Sequence, residues 1–247
     1  MRVTEIVSGL AGFERRGPGS DAERRAARWL AAGLDQSGRE VRVEPFWCRP
    51  NWALAHAWHV ALAIGGSLLA IPGPVPGGVL VLVALVSVAA DAMFGVSPGR
   101  RLTPERASQN VAVTGVSRPD RAPEGRPDRA PEPVRLIITA NYDAGRTGVA
   151  YRDALRSSAA RLRRALPGLT PGWLAWIAIA IVWLLATSIV RIAGEHSRTV
   201  GAIQLPPTVG LLIALALLID LAGAGWSPAA GDNASGAAVA VALAAAL

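Results

Sequence analysis

Two rhythms of hydrophobic and polar residues alternate along this chain, and the places where one gives way to the other mark its organisation. Through residues 1–50 the pattern is short-ranged and mixed. Arg2 to Leu10 suits a short helix, and Gly17-Pro18-Gly19 breaks it. Ser20 is placed to cap a second helix, with Glu23 three residues later as its capping-box partner. Ala26, Ala27, Trp29, Leu30 and Leu34 then recur at helical spacing until Ser37-Gly38. From Glu40 to Phe46, Val41, Val43 and Pro45 alternate with charged neighbours, the period of a half-buried strand.

The second rhythm is unbroken. Apolar stretches run from Trp52 to Ile71, Val75 to Gly95, Trp173 to Val190 and Pro207 to Trp226. Each is close to the ~20 residues that cross ~30 Å of hydrocarbon. The Pro-Gly-Pro-Val-Pro-Gly linker at 72–77 leaves room only for a hairpin tip, so the spans fall into two hairpins. Trp52, Trp58, Trp173, Trp176 and Trp226 sit near span ends, as interfacial aromatics do. Four buried helices of a soluble bundle would be the alternative. The lengths and the near-absence of charge argue against it.

Between the hairpins the mixed pattern returns. Asn110 to Thr114 predicts a short strand, and Val134 to Ala140 a fully apolar one suited to the centre of a parallel sheet. The sequence Arg-Pro-Asp-Arg-Ala-Pro-Glu occurs at 118–124 and again at 126–132, a charged, Pro-rich tract that cannot bury a core. Tyr151 to Leu166 reads as a basic amphipathic helix, either lying on the membrane surface or linking in solvent. The predicted organisation is therefore a first soluble part (1–50), a hairpin (51–96), a second soluble part (97–150) with a Pro-rich loop at 117–133, the basic helix (151–172), a second hairpin (173–226), and a final loop and helix (227–247).

Charge changes this picture less than its size suggests. The net charge is +7, yet all 25 basic residues are Arg, interleaved with acids or flanking the spans. That distribution points away from nucleic acid. Residues 1–50 hold nine arginines and 96–172 hold fourteen, whereas the hairpin tips carry only Arg191 and Arg198. By the positive-inside rule the soluble segments are expected in the cytoplasm of a multi-pass cell-membrane protein. Cys48 is the only cysteine, which excludes an internal disulfide and a thiolate zinc cluster. Met1 to Arg16 lacks the apolar core of a secretory signal.

Chemistry is expected at two loops. The apolar strand delivers Asn141, Tyr142 and Asp143 at its carboxyl end, and Gly231 to Gly236 precedes the last helix. Asp143 and Asp232 are hard oxygen donors. On capping preference alone, Asp232 or Asn233 simply caps that helix. His56 and His59 share a helix face and suit either a metal or interfacial hydrogen bonds. Asp91 and Asp220, near span ends, could serve a pathway or simply reach water. No phosphate loop, nucleophile elbow or dinucleotide fingerprint is present.

The soluble segments together resemble the M28 zinc aminopeptidase-like metallopeptidases. Gly17-Pro-Gly-Ser-Asp-Ala-Glu-Arg-Arg-Ala-Ala-Arg-Trp-Leu looks like the family's opening turn and first long helix. Glu40-Val-Arg-Val-Glu-Pro-Phe and Ser108-Gln-Asn-Val-Ala-Val look like its first two strands. Leu136-Ile-Ile-Thr-Ala-Asn-Tyr-Asp matches the strand ending in His-x-Asp, and Gly231-Asp-Asn-Ala-Ser-Gly matches the Asp-Asn-Ala-Ser-Gly signature. The resemblance implies an α/β fold, here a partial M28-like parallel or mixed sheet with helices, interrupted by four transmembrane helices in two hairpins. It implies zinc as cofactor, a peptide as substrate, Asp232 as the carboxylate bridging two metals, and Asp143 as the group orienting a histidine ligand. Asn141 stands where that histidine belongs, and residues 233–247 contain no His, Asp or Glu. A catalytic zinc needs about three protein ligands. The expectation is a membrane-bound M28-like exopeptidase that is incomplete or inactive as this chain, or else a non-catalytic scaffold or binding module with the same fold. The lipid bilayer is the expected partner, and a partner subunit or further C-terminal part is expected to complete the sheet.

Overall fold

The computed structural model describes residues 2–36, 40–114, 136–165 and 172–246. The chain forms two compact units, each assembled from separated stretches. One comprises Met1–Cys48, Arg106–Gly145 and Trp226–Leu247; the other comprises Arg49–Glu105 and Arg146–Gly225.

In the first unit, α1 (Val3–Ala11) and α2 (Asp21–Asp35) are followed by β1 (Val41–Cys48), with β2 (Arg106–Val113) and α9 (Ser235–Ala246) arriving later in the chain. Ser20 caps α2, its Oγ accepting the Glu23 N–H at 3.1 Å. The return half of the expected capping box is displaced by one residue: Glu23 Oε2 accepts from the Gly19 N–H at 2.5 Å. Gly19 has φ +73, a left-handed turn that a side chain would strain, and a Cβ there would meet Arg106. Ile6 and Leu10 of α1, Ala26 and Leu30 of α2, and Ala237 and Ala238 of α9 form the core, edged by Phe13, Trp29 and Tyr142.

The sheet differs from the expected one. β1 and β2 pair antiparallel, Val41 opposite Val113 and Cys48 opposite Arg106, and this two-stranded ribbon is the whole sheet among the described residues. Residues 136–140 form no strand, although they carry the most strand-like sequence of the chain. Leu136 and Ile137 stay 67% and 73% exposed. An apolar run becomes a central strand only when neighbours hydrogen-bond to it on both edges and cover both faces. Among the described residues no strand pairs with this one. The tandem repeat at 118–132, residues 134–135 of the expected strand, and the helix end at Ser37-Gly38 lie outside the described residues.

The second unit is helical. α3 (Trp52–Leu69), α4 (Pro74–Phe94), α7 (Trp173–Ile192) and α8 (Arg198–Gly223) are each long and apolar enough to cross a membrane. The short α5 (Pro98–Arg101) follows α4, and α6 (Asp153–Ala165) precedes α7. The four long helices close a ring in the order α3, α4, α7, α8, each antiparallel to its neighbours. Gly66 faces Val81 and Gly77 faces Ala70, so α3 and α4 approach where a side chain would collide. Ala57, Val60, Val81, Ala84, Ile181, Leu184, Leu211 and Leu218 fill the centre, while Val86, Ile179, Leu212 and Ile213 point outward. Large apolar side chains thus cover the outside as well as the centre, which is how a bundle meets lipid.

Several boundaries move, α3 ending at Leu69 and α8 at Gly223, short of the predicted Ile71 and Trp226. α4 begins at Pro74 inside the predicted tip, since proline suits the first helical turn. α7 runs two residues further, through Arg191 to Ile192. α8 starts nine residues before the predicted span and continues through Pro206 and Pro207. Such prolines are tolerated within a bundle because neighbouring groups satisfy the freed carbonyls. In α6, Leu155 and Leu162 remain exposed.

Candidate functional site

The two loops predicted to carry chemistry meet in the first unit. Asn233 lies in a π-helical turn, Ala230–Ala234, that leads into α9. Its Nδ2 donates to the main-chain oxygen of Asp143 at 2.8 Å and to Asp143 Oδ1 at 3.1 Å. Asn233 therefore ties the two loops together. Asn141 is solvent-exposed. Asp232 falls in the same turn, and its side chain lies outside what the structure describes.

Two residues hold this site: Arg16, to which the pattern of the sequence assigned no role, and Glu23, which it assigned only to the cap of α2. Arg16 is fully buried and donates from Nε to Tyr142 O, from one terminal nitrogen to Leu10 O and from the other to Pro228 O at 3.4 Å. One guanidinium thus fastens the end of α1, the Asp143 loop and the segment before the π-helical turn. Burial pulls its pKa down and the Asp143 charge opposes that. Glu23, 2% exposed, accepts from Ser108 Oγ at 2.5 Å through its other oxygen. Burial raises its pKa above the ordinary carboxylate value, its hydrogen bonds from Ser108 and Gly19 lower it, and the Asp143 charge raises it further. The Tyr142 hydroxyl donates to Gln109 O at 2.7 Å, and burial, then Glu23 and Asp143, push its pKa up. A Glu at the third position of a helix announces a cap. Its second role needed knowledge of β2, 85 residues away.

The candidates of the second unit gather at one end of the bundle. Asp91 accepts from Arg100 through both oxygens at 2.8 Å and from Ser97 Oγ at 2.9 Å. His56 Nε2 lies 3.6 Å from Asp91 Oδ2, and its Nδ1 lies 3.3 Å from His59 Nδ1. Trp52 and Trp173 stack beside His56. Asp220 is tied separately, accepting from the Val149 N–H at 2.7 Å. Asp91 is thus accounted for by its ion pair and hydrogen bonds, and His56 and His59 face each other through Nδ1, while His59 Nε2 is buried without a hydrogen-bond partner among the described residues.

Zinc requires about three protein donors and an open position. Among the described residues no three His, Cys, Asp or Glu side chains gather to hold a metal. Asp143 Oδ1 is already used by the Asn233 amide, and Asn141 offers only a neutral oxygen. These residues do not by themselves fit a zinc centre. Compared with known proteins, the chain matches no family model, and no curated protein or solved structure matches it significantly.

Proposed function

We propose that this chain is a membrane-embedded relative of the M28 zinc metallopeptidases whose residues 1–247 supply the loop framework of the site without a working hydrolytic centre. The observation that carries the reading is the Asn233–Asp143 contact, which joins the two segments resembling the family's signature loops across 90 residues. Arg16 supports it by fixing the carbonyl of Tyr142 next to Asp143. Within this reading Asp143 has the charge to orient a neighbouring group, Arg16 holds its loop in place, and Glu23 braces the turn at Gly19. Proton transfer from a metal-bound water would need a general base that residues 233–247 do not contain.

The test is an aminopeptidase assay of the purified chain in lipid with added zinc. The reading predicts no turnover above background. Robust turnover abolished by Asp232→Ala would overturn it.

A scaffold role is the second reading, favoured by one observation: Asp143 finds its hydrogen-bond partner in Asn233 with no metal needed. It predicts that Asp232→Ala leaves folding and any partner capture unchanged. Four helices long and apolar enough to cross a membrane support a membrane protein in either case, and the positive-inside rule favours the arginine-rich segments on the cytoplasmic side. Single cysteines at Arg126 and Gly73 in a Cys48→Ser background test that orientation. Labelling of the Gly73 position alone from outside the cell agrees with it, and labelling of the Arg126 position from outside contradicts it.

A further inference from the structure

Arg191 sits one residue from the end of α7 and is only 5% exposed. Its Nε donates to Gln204 Oε1 at 2.9 Å. The orientation of that amide is fixed, because Gln204 Nε2 donates to Ser67 O at 2.6 Å and Ser67 Oγ at 2.8 Å. Ser67 Oγ in turn lies 2.8 Å from Thr208 Oγ1, which donates to Gln204 O. Side chains from α3, α7 and α8 are thus spent on holding one guanidinium in one pose. Yet among the described residues Arg191 forms no ion pair, and its two terminal nitrogens form no hydrogen bond. Neither terminal nitrogen is fully shut off from the surface.

A buried cation without a counter-charge is costly. The carboxyl end of α7 offsets part of this, with an effective charge of about half a unit. The remainder calls for an anion. The opposite end of the same bundle shows the contrast, since there Arg100 is neutralised by Asp91 with both oxygens engaged. The free edge of Arg191 is a planar fork suited to two oxygens of a phosphate. It lies within one turn of the end of a span, at the depth of lipid headgroups, where basic pockets between membrane helices take phosphate groups. Gly201 flanks it: a Cβ there would lie 3.7 Å from the Arg191 terminal nitrogen, so this face carries no covering side chain.

We infer that Arg191, positioned by Gln204 and Ser67, forms an anion subsite on the hairpin-tip side of the bundle that takes one phosphate group. The phosphate is that of a phospholipid headgroup or free phosphate, and the experiment separates the two. This inference is independent of the peptidase reading.

The whole chain, purified in uncharged detergent, is studied by native mass spectrometry and thermal unfolding with phosphatidylglycerol, with a diacyl glycolipid lacking phosphate, and with inorganic phosphate. The wild type is expected to retain one phosphatidylglycerol and to gain stability from it over the glycolipid. Arg191→Gln should weaken retention about tenfold, the scale of one lost charge-assisted contact, while exposed Arg198→Gln leaves it unchanged. Gly201→Leu, which keeps the charge but covers it, should also weaken retention. Displacement of the lipid by inorganic phosphate assigns the subsite to the free anion; failure to displace it assigns the subsite to lipid. Equal retention by wild type and Arg191→Gln overturns the inference. So does equal stabilisation of the wild type by phospholipid and glycolipid with no stabilisation by phosphate, an arm that stands even if the variants fail to fold.

Discussion

Asn233 and Asp143 are separated by 90 residues and a complete membrane hairpin, yet the amide of one donates twice to the other, at 2.8 and 3.1 Å. One hydrogen bond goes to the backbone and one to the carboxylate. Together they set both the path of the loop and the direction of its acidic side chain.

Removing that amide should loosen the site without unfolding the unit. Asn233→Ala is expected to lower stability by about 1–2 kcal/mol, the scale for hydrogen bonds of which one is to a charged group. Limited proteolysis within residues 141–147 should accelerate at the same time. Unchanged cleavage would show that the loops are held some other way.

Arg16 bears a larger share. Arg16→Met leaves three main-chain carbonyls without a donor, each costing about 1–3 kcal/mol when buried. The first unit should then lose its cooperative unfolding transition, read by tryptophan fluorescence, while far-ultraviolet dichroism from the long helices persists. Arg16→Lys should rescue only in part, since one ammonium lacks the span of a guanidinium.

The buried Glu23 predicts a particular pH dependence. Its folded pKa is raised above the ordinary 4.5, so the folded state holds the proton more tightly than the unfolded state. Its contribution to stability is therefore fully present below pH 4.5 and is lost as pH rises through the raised folded value. Glu23→Gln removes that titration. Relative to wild type, the Tm of the variant should improve steadily from pH 4.5 upward and then level off; a difference flat across this range would contradict the assignment.

In the second unit, Asp91→Asn should be strongly destabilising, by about 3–5 kcal/mol, because it strands the Arg100 charge on a partly buried site. Arg100→Gln in the same chain should recover much of that loss. A double-mutant cycle in detergent measures the coupling, and additive effects would argue against the pair.

Much of this architecture could be read from residue order alone. The four long apolar stretches determine their helices because length and uncharged composition suffice for a span. Ser20 announces its cap, and Val41, Val43 and Pro45 announce a strand, through strictly local chemistry. What escaped was non-local. The run at 136–140 has the composition of a central strand, but pairing depends on neighbours that its own residues do not specify. Gln204 and Arg191 look like polar interruptions at the edges of spans until α3 and α8 bring Ser67 and Thr208 beside them. The meeting of Asn233 with Asp143 was not legible in either loop alone, since capping preference offered Asp232 or Asn233 to the start of α9.

The account rests most heavily on the claim that these residues frame a metallopeptidase-like site without assembling its zinc. Metal content of the lipid-reconstituted chain, measured by mass spectrometry after equilibration with zinc and gel filtration, addresses this directly. The account predicts no stoichiometric zinc and no difference between wild type and Asp232→Ala. Two zinc ions per chain, lost on that substitution, would contradict it.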